Sequence, residues 1–222
     1  GVLSVSSNGQ LGDTVANGAI TFNGSNVLAP AALLVTNSFA TARALTFTAN
    51  GGVDVAAGAT LTTSGVNSGT FVKTGLGTLL ETAGVSTMTA LTISGGGVFA
   101  ANTATPFGAA TITLNGGALS LFQPTNAANL GVTATTLTMN AGGYLKLQDG
   151  SANSTKLTLT ILNRANQGVL LMNAVNGRLG TAPNGNGELL VSTNIFGVTA
   201  ATASVNGILA PSILAMDNSG VA

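Results

Sequence analysis

The sequence predicts an all-β chain wound as a right-handed parallel β-helix, a β-solenoid of about 20–26 residues per turn. Three observations predict it. An apolar-Thr-apolar triplet recurs along the chain, a small-residue corner follows each copy, and charged residues make up only 5% of the composition. Helix is disfavoured because β-branched Thr, Val and Ile alternate at period two and Gly interrupts every few residues. An antiparallel β-sandwich is the alternative on the same strands, with the Asn-Gly corners as hairpin turns. The regular period favours the coil, because a sandwich has no reason to repeat strand, corner and strand at one spacing.

The triplets are Ile20-Thr21-Phe22, Leu45-Thr46-Phe47, Leu91-Thr92-Ile93, Ile112-Thr113-Leu114 and Leu137-Thr138-Met139. Their corners are Asn23-Gly24, Asn50-Gly51-Gly52, Gly95-Gly96-Gly97, Asn115-Gly116-Gly117 and Asn140-Ala141-Gly142-Gly143. A second short strand follows most of them: VDV at 53–55, VFA at 98–100, ALSLF at 118–122 and YLKL at 144–147. The triplets are spaced by 25, 46, 21 and 25 residues, and Phe71-Val72-Lys73 divides the long gap. KLTLTIL at 156–162 continues the series. In a coil, Ile20, Phe22, Leu91, Ile93, Ile112 and Leu114 point inward while Thr21, Thr92 and Thr113 face out.

Residues 1–162 are thus expected to form regular turns, and 163–222 a less regular continuation with longer loops. The second part contains NRANQG, NAVNGRLG and TAPNGNGE, with Asn-Gly pairs at 176–177, 184–185 and 186–187. The tail from 205 carries Pro211 between two apolar clusters and has no clear triplet.

Composition excludes several function classes. Six Lys/Arg balance six Asp/Glu, so no net field attracts nucleic acid or an anionic surface. Cys and His are both absent, which removes disulfides, thiolate metal sites and the imidazole base. The longest apolar run, VLAPAALLV at 27–35, is too short to span a bilayer and contains Pro30. Strands of about five residues and the absence of Trp also argue against a transmembrane barrel. The start at Gly1, without a basic-then-apolar leader, reads as a processed product or an internal fragment.

No catalytic, cofactor-binding or metal-binding residues are assigned. Gly75-x-Gly77 lacks the third Gly and acidic ribose ligand of a dinucleotide site and reads as a corner. Lys73 reads as a solvated, outward side chain. Asp13, Asp54, Glu81, Asp149, Glu188 and Asp217 are scattered and read as surface acids. Asp54 and Glu81, about one turn apart, are the pair to inspect for a carbohydrate-cleaving site. Lys146, Asp149 and Asn153 form a local polar cluster, expected to be a corner loop, with a glycan or calcium contact as the rival reading. Asn23-Gly24-Ser25 and Asn153-Ser154-Thr155 fit the N-glycosylation pattern, which chance supplies easily in so Asn/Ser/Thr-rich a chain. Arg164 and Arg178 read as solvated loop arginines.

Residues 69–100 carry a resemblance. Val72-Lys73-Thr74-Gly75, then Gly77-Thr78-Leu79, then Leu91-Thr92-Ile93-Ser94-Gly95-Gly96 are similar to the autotransporter-associated β-strand repeat, also called the passenger-associated transport repeat. The spacer at 82–87 departs from that pattern in lacking an aromatic residue. The resemblance implies a right-handed parallel β-helix in a large secreted or surface bacterial protein, and it names no catalytic residue. The expected function is that of a non-enzymatic structural segment of a bacterial extracellular or cell-surface protein. Such a segment forms a rod or fibre by repeat continuation or end-to-end self-association. The alternatives are an adhesin that binds glycans or a neighbouring surface and, less favoured, a polysaccharide-degrading enzyme.

Overall fold

A computed structural model describes residues 1–12, 18–24, 31–49, 51–82, 86–101, 106–122, 130–148, 155–175, 178–179, 186–195, 198–199 and 213–217. The period-two alternation becomes strand almost throughout. A single 3-10 turn, Asn8–Leu11, is the exception among the described residues.

The strands stack into a large sheet of thirteen and a small sheet of eight. The chain visits them alternately. Ser68–Thr74, Thr87–Ile93, Thr111–Leu114, Leu130–Met139 and Thr155–Arg164 belong to the large sheet. Thr78–Glu81, Gly97–Ala101, Ala118–Phe122, Gly143–Gln148 and Leu170–Val175 lie between them on the small one. Each strand pairs in parallel with its predecessor on the same sheet, so the chain is a β-solenoid. The sandwich alternative is thereby overturned. Among the described residues only Asn194–Ile195 with Val198–Thr199 pair antiparallel.

Residue columns give the true period. Phe71 pairs with Leu91, Leu91 with Ile112, Ile112 with Leu137 and Leu137 with Leu162, steps of 20, 21, 25 and 25 residues. On the small sheet Leu61, Leu79, Val98, Leu119, Leu145 and Met172 are stacked at steps of 18, 19, 21, 26 and 27. Steps lengthen toward the C-terminal part: Leu162 pairs with Ile195, 33 residues on, and Met172 with Ala215, 43 on. The tail therefore contributes a regular strand, Ile213–Asp217, where the sequence showed no triplet.

Two expectations about equivalence fail. Ile20-Thr21-Phe22 stacks on Leu45-Thr46-Phe47, but Thr46 then pairs with Ser68, not with Val72. These two copies thus lie beside the column of Leu91, Ile112 and Leu137, not in it. VDV at 53–55 belongs to the large sheet, paired with residues 33–35, whereas the other second strands form the small sheet. The reason is that the alternating triplet specifies a face, while corner geometry specifies the register. In the first coils the rung is two short strands. From Ser68–Thr74 onward it is one, which pairs with both predecessors.

The core is a set of inward columns, with Leu91, Ile93, Ile112 and Leu114 fully buried and Thr21 exposed as expected. Burial of each Leu- or Ile-sized side chain contributes about 1.5–3 kcal/mol. Phe22 and Phe47 stack at 4.4 Å and 8°, and Phe71 meets Phe47 edge-on at 4.4 Å, so aromatic contact bridges the change of rung. At the corner after Ile93, a column of amides runs along the axis. Asn115 donates to Ser94 Oγ at 3.4 Å, Asn140 to Asn115 Oδ1 at 3.0 Å and Asn166 to Asn140 Oδ1 at 2.6 Å.

Candidate functional site

The chemistry-bearing side chains of the interior belong to one coil, residues 68–81, which also carries the repeat-like motif. Phe71 and Lys73 are two apart on one strand, as are Leu79 and Glu81 on the next, so strand phase turns each charged residue inward with its apolar neighbour. Lys73 and Glu81 are both 0% exposed. This corrects two expectations: Lys73 is not a solvated outward lysine, and Glu81 is not a surface acid.

Lys73 interrupts an otherwise apolar column of Leu33, Val53, Ile93, Leu114 and Met139. The long stem fills that position, and the ammonium reaches the corner. There Nζ donates to the carbonyls of Thr74 at 2.6 Å, Gly75 at 2.9 Å and Gly95 at 3.3 Å. Three acceptors match the three N–H groups of an ammonium, and Gly95 belongs to the next coil. Burial lowers Lys73 to about 8, partly offset by the nearby Asp54 carboxylate. Lys73 thus acts as a peg between coils, and the Gly75-x-Gly77 corner is what lets it reach. Gly75 has φ +72°, and a Cβ there would lie 2.3 Å from Val55 O; one on Gly77 would lie 2.2 Å from Ala56 O.

Glu81 ends the strand Thr78–Glu81, in register with Thr63 before it and Ala100 after it. Its partners are neutral. Asn67 Nδ2 donates to Glu81 Oε1 at 2.9 Å, to Oε2 at 2.8 Å and to Thr63 Oγ1 at 3.1 Å, and the Thr63 hydroxyl donates to Glu81 Oε2 at 2.9 Å. Asn67 is the hub of the corner. Its Oδ1 accepts from Leu45 N at 2.9 Å, its carbonyl from Thr87 N at 2.8 Å, and its own N–H donates to Ser86 Oγ at 3.4 Å. Three successive coils are tied through one side chain. Burial pushes the Glu81 carboxyl up to about 7, with the Thr63 and Asn67 hydrogen bonds pulling against that rise.

The pair inspected for carbohydrate cleavage is not brought together. Asp54 is half-buried on the large sheet between inward Val53 and Val55, and it accepts from the Thr74 hydroxyl at 3.1 Å. Glu81 points into the core from the small sheet. No three His, Cys, Asp or Glu side chains gather among the described residues. A shallow groove of about 390 Å³ is lined by residues 36–38 and 57–59, and one of about 220 Å³ by Phe47, Thr48, Ala49 and Thr70. Neither is lined by Lys73 or Glu81. Arg164 donates from Nε to Gly168 O at 3.0 Å, as a loop-closing contact. Asp149 and Asn153 of the local polar cluster, Ser25, and Ser154 of the second glycosylation pattern lie outside the described residues, as does the side chain of Arg178.

Sequence reasoning missed Asn67 altogether, and no local motif marks it. The signal that would have found Lys73 and Glu81 is their phase with Phe71 and Leu79. Comparison with known proteins finds no match: no family model, no curated protein and no solved structure aligns with the chain.

Proposed function

We propose that this chain is a structural segment of a bacterial extracellular or cell-surface protein, of the autotransporter-repeat kind, and that it works as a rod. The observation that carries this reading is the use to which the coil puts its buried polar groups. Lys73, Glu81 and Asn67 all spend their bonding capacity on neighbouring coils, which serves cohesion along the axis and leaves no group facing a substrate. The role is non-enzymatic on this reading. Eight strands at about 4.8 Å spacing extend roughly 34 Å, and further coils or end-to-end copies lengthen the rod by the same step.

A second reading, an adhesin, draws support from the charge-free column of Ser94, Asn115, Asn140 and Asn166, which sets amides at the rung spacing at one corner. Small-angle scattering and negative-stain microscopy across protein concentration test the first reading, which expects elongated particles with longer species at high concentration. A compact particle of one size at every concentration overturns it. A blank glycan array at micromolar protein overturns the second.

A further inference from the structure

The Glu81 corner is more than a fastening, because its carboxyl is fully buried and yet its printed partners carry no charge. From the strand before it come Thr63 and Asn67, from the following turn Ser86, and from the strand after it Ala100 in register. Among the described residues the other charged side chain at this corner is Arg43, whose Nη1 donates to Gly18 O at 3.2 Å. Lys73 sits at the opposite corner of the coil.

Both protonation states of Glu81 find partners here, and this makes the corner bistable. Ionised, the carboxylate accepts from Asn67 and from the Thr63 hydroxyl. Protonated, Oε2–H donates to Thr63 Oγ1 across the same 2.9 Å, with the hydroxyl rotor reversed, and Asn67 still donates to the other oxygen. The hydrogen-bond count does not decide between the two states; desolvation does. A lone carboxylate without a cation in a dry interior is the costly state. We propose that Thr63, Asn67 and Glu81 form a proton-operated latch: with Glu81 protonated it clamps three successive coils at this corner, and with Glu81 ionised the clamp loosens.

The direction of the effect follows from linkage. The folded carboxyl titrates at about 7, above its ordinary value of 4.5. The stabilisation is therefore fully present below about pH 4.5 and is lost as pH rises through 7. A shift of this size changes the folding equilibrium by about two to three powers of ten. The acid side of the curve is then inverted relative to ordinary proteins, whose paired carboxylates lose stability in acid.

The experiment uses the full chain. Chemical unfolding at pH 4.5 to 8 is compared for the parent protein and Glu81→Gln, whose amide reproduces the donor and acceptor of the protonated acid. In parallel, the chain labelled with 13C at glutamate carboxyls is titrated by NMR, where Glu81 and Glu188 are the only glutamates. The expected result is a parent midpoint that falls toward neutrality, a flat profile for the variant, and one carboxyl signal that titrates near 7. Both signals titrating near the ordinary glutamate value, or a variant that keeps the parent's slope, overturns the proposal. Should Glu81→Gln fail to fold, the NMR titration of the parent decides alone.

Discussion

At the scale of single residues, this protein places its two costliest side chains in one coil and solves each by a different means. Lys73 gives its ammonium three carbonyl acceptors, whereas Glu81 is held by neutral donors and is stable as the acid. Lys73→Met keeps the stem's packing but leaves the corner carbonyls of Thr74, Gly75 and Gly95 without their donor, so stability should fall by about 1–3 kcal/mol, measured by urea unfolding at neutral pH. Alkaline titration gives the complementary sign. With the folded value lowered to about 8, the ammonium's burial penalty persists below pH 8 and is relieved between 8 and 10.5, so the parent's urea midpoint should climb over that window and that of Lys73→Met should not. Asn67→Ala should cost more than an exposed amide, about 2–3 kcal/mol, because it strands both Leu45 N and the Glu81 carboxyl. Of these three residues, the period-two phase makes the orientation of Lys73 and Glu81 legible in the sequence. A bias that charge belongs outside hides it.

At the scale of elements, the columns divide the labour. Apolar columns supply most of the free energy, and the amide column of Asn115, Asn140 and Asn166 orients the corners. Leu114→Ala, fully buried in the column of Ile93 and Met139, should destabilise by about 2–5 kcal/mol, while Asn140→Ala, half-buried, should cost about 1 kcal/mol. Thermal melts of the two variants check the ranking; equal losses would mean that the amide column is not secondary. The triplets that revealed the strands were also what misled their alignment. Ile20-Thr21-Phe22 and Leu91-Thr92-Ile93 share a pattern because both have one buried face, yet they occupy different columns. Pattern reports burial, and only the neighbouring coil sets the position along the rung.

At the scale of the molecule, the large sheet presents Val2–Val5 as an edge strand, paired on one side with residues 32–35, and Val2 and Leu3 are 68% and 53% exposed. Unblunted apolar edges template the addition of further strands. If rods lengthen at this edge, Leu3→Lys should suppress the longer species in sedimentation or light scattering while the chain keeps its unfolding midpoint. Longer species that persist in Leu3→Lys would place the contact elsewhere.

The amino-acid sequence by itself determined that this chain is a coil of parallel β-strands, because a short-range alternation of apolar and Thr residues, punctuated by Gly corners at a steady spacing, has few other ways to bury one face. It also carried the continuity of the series through Phe71 and Leu162, both of which lie in the predicted column. The tertiary structure alone decided which strands share a sheet, that the tail returns as Ile213–Asp217, and that Asn67 joins Leu45, Glu81 and Thr87. Those contacts join residues that are distant in sequence, and a coil's register is set where one turn meets the next, which no local pattern encodes.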